Sequence, residues 1–489
     1  MAQNWFATVA LLSWPMVALW LYKSRPVGLA TIWTILGAQL LLPVGALIKF
    51  EGIPQFDKIS IPNIAALIGC ILVTRRPLRF WSGFGLPEVF LVMYLVGPFV
   101  TAELNTDVIN IGKLVLPAES QYDALSDVVR QFLFLLPFFM GRQLLKSSAD
   151  HVEILRALVI AGLLYSLLIL FELRMGPQLS YLIYGYQASN ISQFFRDAGY
   201  RPAVFMGHPL VLSFFMMTTV VAAATFWRMQ IRVTRFAPTI ITAYLSGILW
   251  LCKSLGAFVY GATLLPLVRW TKPRFQLRVA LVLVTICLLY PALRITNIFP
   301  TSFLSEAAAL ISQERATSLM QRFDQEQQLL DHATQRPVFG WGRWGRNRIY
   351  DANSGVDISV TDGGWIIAFG AWGLFGFVAQ FGLIAIPVVR AVSALRYARS
   401  EHDKVFLAAL ALIMAISLVD LLPNSSLSPW TCLLAGALLG RTEALRKTAR
   451  QLHNSVVRTN STFGTNTTPR PQAGASAFEK WDSERNQYR

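Results

Sequence analysis

Apolar residues in this chain occur in long blocks, many of about 15–25 residues, separated by short polar or basic segments. A helix needs about 20 apolar residues to cross the roughly 30 Å hydrocarbon core of a bilayer, so each long block predicts a membrane-spanning helix. The pattern therefore predicts an all-α, polytopic integral membrane helical bundle with about 11–13 spans. The candidate spans are residues 5–22, 27–48, 59–74, 84–100, 129–141, 152–171, 209–227, 236–252, 254–268, 279–295, 363–389, 404–422 and 428–440.

The composition agrees with this interpretation. Of the 489 residues, 54% are hydrophobic and only 14% are charged, whereas about a quarter of the residues are charged in an average soluble protein. The four cysteines all lie in apolar blocks and show no Cys-x-x-Cys spacing. This favours buried thiols over a disulfide framework or a metal site.

Positive charges are distributed unevenly among the loops. The net charge of +16 could indicate a nucleic-acid-binding protein, but most basic residues lie in alternate short loops, where they set topology. We therefore expect no nucleic-acid partner. These loops contain Lys23, Arg25, Arg75, Arg76, Arg79, Arg142, Lys146, Arg228, Arg232, Arg235, Arg269, Lys272, Arg274, Arg278, Arg390, Arg396 and Arg399.

The positive-inside rule places the basic loops and the C-terminus in the cytoplasm. The other loops then face outward, which in a Gram-negative cell is the periplasm. We predict a bundle over residues 1–440 with one long periplasmic loop over 296–362. The basic segment 441–489 is predicted to be a cytoplasmic tail, disordered over its last 45 or so residues.

The long outward loop is rich in arginine, although topology gives no reason for it. Its segment 336–348, RPVFGWGRWGRNR, contains four arginines. The preceding segment 305–335 has apolar residues at helical spacing and predicts an amphipathic helix, on which Arg315 and Arg322 share one stripe. These arginines could form an anion site, remain solvated, or reach toward lipid phosphates.

Glycines in the same loop favour the anion site. Gly340 and Gly342 can adopt positive φ and could direct backbone N–H groups at an anion. The segment lacks the Lys-Ser/Thr ending of a nucleotide P-loop.

A second outward loop adds further cations at the membrane boundary. Residues 195–209 contain Arg196, Arg201 and His208, and Lys253 lies in a tight turn between two spans. Convergent arginines suit a diphosphate because the guanidinium fork binds phosphate in a bidentate manner.

These motifs, taken in order, resemble the O-antigen ligase/polymerase superfamily of membrane glycosyltransferases. The similarity covers residues 195–390 and rests on four motifs. They are Arg201 with Gly207-His208-Pro209, Lys253-Ser254-Leu255-Gly256, Arg322 with Pro337-Val338-Phe339-Gly340-Trp341-Gly342, and Gly373-Leu374-Phe375-Gly376. Leu255 stands where the family has an arginine, and Asp362-Gly363 stands where it has His-Asn. Because that histidine is important in the ligases, the resemblance favours a repeat-unit polymerase.

The resemblance implies a function without metal or cofactor. It predicts that polyprenyl-diphosphate-linked repeat units are polymerised into an O-antigen, capsule or exopolysaccharide at the periplasmic face of the inner membrane. The alternatives are an O-antigen ligase, which transfers polymer to lipid A-core, and a transporter or flippase for a lipid-linked anion. The expected partners are an undecaprenyl-diphosphate-linked donor, a glycan acceptor, the lipid bilayer, and chain-length regulator and flippase proteins.

The site residues implied by the motifs fall into two groups. The predicted catalytic residues are Arg322, Arg201 and Asp362. Asp362 is a candidate general base alongside His332 and Glu314, or else caps the span that follows it. The predicted substrate-binding residues are Arg315, Lys253, His208, Arg336, Gly340 and Gly342.

Overall fold

Helices account for nearly all regular structure in a computed structural model of the chain. The structure describes residues 4–50, 53–75, 78, 80–81, 83–186, 191–196, 199–310 and 313–463. The helices are α1 (Trp5–Ser24), α2 (Val27–Leu41), α3 (Ser60–Ile68), α4 (Leu86–Glu103), α5 (Gln121–Leu144), α6 (Ser148–Met175), α7 (Leu179–Tyr184), α8 (Pro209–Met229), α9 (Pro238–Leu251), α10 (Leu255–Trp270), α11 (Pro273–Ile295), α12 (Thr301–Ala309), α13 (Gln313–Ala333), α14 (Gly364–Ala394), α15 (Glu401–Asp420) and α16 (Pro429–Phe463).

Eight of these helices are long and apolar enough to cross a membrane by length and composition, namely α1, α4, α5, α6, α8, α11, α14 and α15. Helices α2, α9 and α10 and the segment Ser60–Val73, which continues α3 as a π-helical turn, are apolar but shorter. Each predicted span coincides with one of these segments or with the start of α16. The prediction of an all-α, multi-pass membrane bundle is therefore confirmed.

The boundaries differ most where polar residues begin a helix. The predicted span 129–141 is only part of α5, which starts at Gln121. Ser120 caps this helix and exchanges hydrogen bonds with Asp123 in a capping box. A capping box satisfies otherwise unpaired N–H groups, so a helix can begin well outside the apolar block.

Three short antiparallel hairpins lie in the loops between helices. They pair β1 (Ile48–Phe50) with β2 (Ile53–Phe56), β3 (Ile109–Ile111) with β4 (Leu114–Leu116), and β5 (Phe195–Arg196) with β6 (Gly199–Tyr200). In the pairing of β5 with β6, Phe195 lies opposite Tyr200 and Arg196 opposite Gly199. This last hairpin carries part of the predicted site.

The core of the bundle is formed around α8 and α15. The apolar windows of these helices are 78% and 83% buried, whereas that of α1 is 28% buried. A helix that is apolar on all sides and buried on all sides lies in the middle of a bundle. α1, in contrast, leaves large side chains such as Trp5 and Met16 exposed, as expected for a lipid-facing helix.

Residues of the predicted cytoplasmic set meet in one ion-pair cluster. The Arg142 guanidinium donates to Glu88 at 2.8 Å and to Glu443 at 2.7 Å, and Arg390 also donates to Glu443, at 3.0 Å. Glu88 lies at the start of α4, Arg142 at the end of α5 and Arg390 near the end of α14, so these three helix ends lie together at one end of the bundle. The long loop 296–362 lies at the other end, which we call the loop end.

Two expectations about polar segments were wrong. Segment 305–335 is not one amphipathic helix, because α12 ends at Ala309, Leu310 is its exposed C-cap, and α13 begins at Gln313. The predicted disorder of the last 45 or so residues is contradicted up to Phe463, because α16 continues that far. Charged, helix-favouring residues extend this helix beyond its apolar part. Residues 464–489 lie outside the described residues, and residues 446–489 form a unit separate from 1–445.

Candidate functional site

Arg322 lies where three segments of the loop end meet. Its Nη1 donates to the carbonyl oxygen of Pro423 at 3.2 Å, and its Nη2 is 3.6 Å from a carboxylate oxygen of Asp362. The N-cap of α14 is Gly363, which makes no side-chain cap bond. Asp362 therefore does not cap α14, as one alternative for it predicted, and instead forms an ion pair with Arg322.

Glu326, one turn after Arg322, anchors α13 to the bundle. Its carboxylate accepts hydrogen bonds from the Tyr290 hydroxyl at 2.9 Å, from Arg294 Nε at 2.8 Å and from Trp365 Nε1 at 2.8 Å. Burial raises the pKa of Glu326, whereas the hydrogen bonds from these donors and the charge of Arg294 act to lower it. Glu326 was not among the residues predicted from the sequence, because nothing in the sequence separates it from the other polar residues of α13.

Arg201 lies beside the β5–β6 hairpin and is only 6% exposed. Its backbone N–H donates to Phe194 O at 2.8 Å, and its Nη1 donates to Gln193 O at 3.3 Å. The chain that follows is held by Glu172, whose carboxylate accepts the backbone N–H groups of residues 203 and 204. These bonds fix the arginine at the point where the loop enters α8.

His208 connects this loop electrostatically to Arg322. It is the N-cap of α8, where its Nδ1 accepts the N–H of Leu210 at 3.1 Å, and its Nε2 is 2.9 Å from Gln193 Oε1. Burial lowers the pKa of His208, the positive charges of Arg201 and Arg322 lower it further, and Asp362 opposes them. Four predicted site residues therefore lie close enough together to influence one another.

Lys253 lies over the same hairpin from the turn between α9 and α10. Its backbone has a positive φ of 52°, and its Nζ donates to Arg196 O at 3.3 Å. The ammonium group also lies where a Cβ on Gly199 would stand. A side chain larger than hydrogen at this position would displace the lysine.

A cavity of about 240 Å³ opens between these elements, and we call it the arginine cavity. Its polar lining comes from Arg196, Ser254, Tyr260, Ser318, Arg322, Asp420 and Asn424, and Leu210, Leu255, Ala257 and Leu319 contribute apolar walls. Asp420 accepts hydrogen bonds from Asn424 Nδ2 at 2.9 Å and Ser426 Oγ at 2.6 Å. Two arginines in the lining beside an apolar wall suit the phosphate end of an amphipathic ligand.

The Gly-x-Gly segment has a different environment. α14 is broken at Gly373, which has φ 62° and ψ −165°, and residues 337–342 fill the break. Leu374 N donates to Pro337 O at 2.8 Å, and the Gly342 N–H donates to Ala371 O at 2.8 Å. A Cβ on Gly340 would stand 2.5 Å from the backbone carbonyl of residue 371.

These contacts change the interpretation of both glycines. The N–H of Gly340 is also used within the chain, since it donates to Arg336 O at 3.0 Å. The expectation that these two amides point at an anion is therefore wrong. At Gly340 glycine is required because the two backbones approach too closely for a side chain, and at Gly342 a Cβ would meet the Glu119 carboxylate.

The four arginines of segment 336–348 do not line the arginine cavity: Arg336 and Arg346 bind the loop after α4, the Arg343 side chain pairs with Asp127 of α5, and Arg348 pairs within its own loop. Arg336 donates to the side chains of Asn105 and Asp107, Arg346 donates to Asp107 Oδ1 at 2.8 Å, and Arg348 pairs with Asp357 at 2.5 Å. Arg343 N donates to the Glu119 carboxylate. Arg346 is 1% exposed, so this segment is a structural tie between two loops of the loop end.

The aromatic residues and His332 of this region are also engaged. The His332 ring stacks on Trp341 with centroids 4.4 Å apart, and its Nε2 is 2.9 Å from Arg346 O. Trp365 is fully buried against Glu326. Trp344 remains 50% exposed. For Arg315 and Glu314, which lie on α13, the side chains are outside what the structure describes.

The structure thus brings Arg322, Asp362, Arg201, His208 and Lys253 to one region and separates them from Arg336, Gly340 and Gly342. Within the described ranges, no group of three His, Cys, Asp or Glu side chains is arranged to hold a metal ion.

Comparison of the chain with protein-family models found no match, and a search among curated proteins found none either.

Proposed function

We propose that this protein is a membrane glycosyltransferase that polymerises polyprenyl-diphosphate-linked repeat units into a surface polysaccharide at the periplasmic face of the inner membrane. The observation that carries the proposal is the arginine cavity at the loop end, with Arg322 and Arg196 in its wall and Lys253 and Arg201 beside it. These cations come from separate loops and meet beside apolar surface. A lipid-linked diphosphate has matching charge and apolar parts.

In the proposed reaction, a hydroxyl oxygen of the acceptor sugar attacks the anomeric carbon of the donor. The bond between that carbon and the diphosphate oxygen breaks, and the polyprenyl diphosphate leaves with the bonding electrons. Arg322 and Arg201 stabilise the negative charge that develops on the leaving group, with support from Lys253. Arginines can provide this charge stabilisation without reorganising during the reaction.

Asp362 is the best candidate to take the proton from the acceptor hydroxyl. It is within 3.6 Å of Arg322, and its side chain is 46% exposed, so substrate can reach it. His332 does not suit this role as well, because its Nε2 lies at Arg346 O. Asp362 is therefore preferred, because it is exposed beside Arg322 and its carboxylate can accept a proton.

A ligase would use the same donor and the same cations, so the second candidate function differs only in the acceptor. The break in α14 would favour a transporter, because discontinuous helices often form ion sites in transporters. Here, however, the amides freed by the break are bound by residues 337 and 338, which leaves them unable to bind a transported ion. We therefore rank a transporter last.

The glycan profile of a deletion strain tests the proposal. Loss of a polymerase leaves single repeat units in place of a polymer ladder, whereas loss of a ligase leaves full-length polymer on the lipid carrier. Single repeats that remain on the cytoplasmic leaflet would instead indicate a flippase. An unchanged surface glycan in the deletion strain would refute all three functions.

A further inference from the structure

Arg196, on strand β5, lies in the wall of the arginine cavity but is not among the site residues implied by the motifs. It is half-buried, and in the part of the chain that the structure describes no carboxylate forms an ion pair with it. The arginines of segment 336–348, in contrast, are paired with aspartates. The guanidinium group of Arg196 is therefore available to an anion in the cavity.

The register of the β5–β6 hairpin fixes the face on which Arg196 lies. Arg196 is opposite Gly199, and Phe195 is opposite Tyr200. Directly opposite side chains of an antiparallel pair lie on the same face, and successive residues alternate between faces. Phe195 and Tyr200 pack together on one face, with ring centroids 5.2 Å apart. Arg196 lies on the other face, together with the space above Gly199.

The ammonium group of Lys253 occupies this space above Gly199. It lies where a Cβ of residue 199 would stand, and its Nζ donates to Arg196 O at 3.3 Å. Glycine allows this close approach because it has no Cβ. Lys253 and Arg196 therefore place two positive charges on one face of the hairpin, and a bound anion would offset their mutual repulsion.

The other charged groups around the cavity leave an excess of positive charge. Arg322 reaches the same cavity from α13. Asp420 is the one acidic residue in the described lining, and its two carboxylate oxygens already accept hydrogen bonds. Arg201 is only 6% exposed and its Nη1 donates to Gln193 O, so it has little surface with which to contact a ligand.

From this geometry we infer that Arg196 binds the diphosphate of the lipid-linked donor directly, beside Arg322, and that Lys253 and Gly199 are positioning residues for it. The inference rests on the proposed function, because it assigns a further ligand to the same leaving group. Each phosphate of a diphosphate can accept hydrogen bonds from one guanidinium fork. Two arginines on separate elements can therefore distinguish a diphosphate from a monophosphate, and Arg201 contributes charge without contact.

Ligand binding by the purified full-length protein in detergent tests the inference, with Kd measured by native mass spectrometry. The probes are undecaprenyl diphosphate, undecaprenyl monophosphate, which has the same chain and one phosphate fewer, and phosphatidylglycerol. Arg196→Gln should raise the Kd for undecaprenyl diphosphate about 10–100-fold, as expected for loss of a hydrogen bond between charged groups. It should also reduce the preference for diphosphate over monophosphate. Arg196→Lys keeps the charge but loses the fork, so its Kd should lie between the two.

Three further variants separate position from folding and net charge. Gly199→Ala displaces Lys253 and should also weaken diphosphate binding. Phe195→Leu, on the opposite face of the same strand, and Arg348→Gln, outside the cavity, should leave the Kd unchanged. Thermal unfolding of each variant shows whether a loss of affinity is a loss of folding, and Arg196→Gln carries the test even if Gly199→Ala does not fold.

Four results would overturn the inference. If Arg196→Gln keeps the Kd of the unchanged protein while Arg322→Ala loses affinity, Arg196 is not a ligand and the proposed function stands. If Arg348→Gln weakens binding as much as Arg196→Gln does, only the net charge matters. If Gly199→Ala folds and binds undecaprenyl diphosphate normally, the roles of Lys253 and Gly199 are wrong. If the unchanged protein binds undecaprenyl diphosphate no more tightly than phosphatidylglycerol, the proposed function fails together with the inference.

Discussion

Replacement of Arg322 by alanine separates a role in the reaction from a role in folding. Arg322 and Asp362 are 36% and 46% exposed, and their charged atoms are 3.6 Å apart. Exposed ion pairs of this kind contribute about 0–1 kcal/mol to stability because solvent screens them. We therefore expect Arg322→Ala to lower the free energy of unfolding by less than about 1 kcal/mol.

The expected effect on the reaction is much larger. Removing one donor that stabilises a developing negative charge costs about 2.7–4 kcal/mol, which corresponds to a roughly 10²–10³-fold loss of rate. Arg322→Lys keeps the charge but loses the bidentate fork, so its activity should lie between those of Arg322→Ala and the unchanged protein. The gap between a small stability effect and a large rate effect is the signature of a residue that contacts substrate.

The assay combines polymer yield with thermal unfolding. Variants are expressed in the deletion strain at matched protein levels, and the ratio of polymer to single repeat units is measured. The same proteins are purified in detergent, and unfolding is followed by tryptophan fluorescence. Arg348→Ala is the matched control, because Arg348 lies in the same loop, is 47% exposed and also pairs with an aspartate.

Two outcomes would contradict this reasoning. Full polymer yield from Arg322→Ala at normal protein level would remove Arg322 from the site. An equal loss in Arg348→Ala would mean that the net charge of the loop matters and not the position of one guanidinium group.

Three further predictions concern the surroundings of the site. Gly340→Ala should destabilise the protein by about 2–5 kcal/mol in thermal unfolding, because the new side chain would combine a φ of 72° with a backbone clash. The control, Gly247→Ala, places a methyl group in open space on α9 and should raise stability by about 0.5–1 kcal/mol. Similar values for the two variants would refute the close backbone approach at Gly340. Glu326→Ala leaves the buried Arg294 charge without its carboxylate and should lower the free energy of unfolding by about 3–5 kcal/mol. A melting temperature equal to that of the unchanged protein would show that this ion pair does not anchor α13. Because the pKa of His208 is lowered in the fold, the unfolded chain binds its proton first as pH falls below about 6.5, so stability should decrease from pH 7 toward pH 5. His208→Asn keeps a capping side chain but cannot titrate, and an undiminished pH dependence in this variant would assign the effect to another group.

Hydrophobic patterning was sufficient to locate the bundle, because crossing a bilayer requires a long apolar stretch that is visible in any one segment. The motifs in the outward loops also located most of the polar residues that converge at the site. Arg322, Arg201, His208 and Lys253 were selected from motifs, and the structure brings them to one region. Loops at the same end of a bundle are near each other whatever their sequence separation, which is why topology alone could anticipate this grouping.

Pairing between distant loops could not be anticipated in the same way. Arg336 and Arg346 look like ligands of an anion in the sequence, but Asp107 binds both from a loop more than two hundred residues earlier. Gly340 looks like part of a phosphate loop, yet its place is set by the break at Gly373.

The sequence by itself thus determined the spanning helices, the loops at each end, and which loops carry cations. Only the tertiary structure decided which arginine lines a cavity and which is neutralised by a carboxylate. The physical reason is the sequence separation of the residues that determine each property. Burial of an apolar block is a property of one segment, whereas the role of a charge or a hydrogen-bonding group depends on the partners that folding brings within a few ångströms.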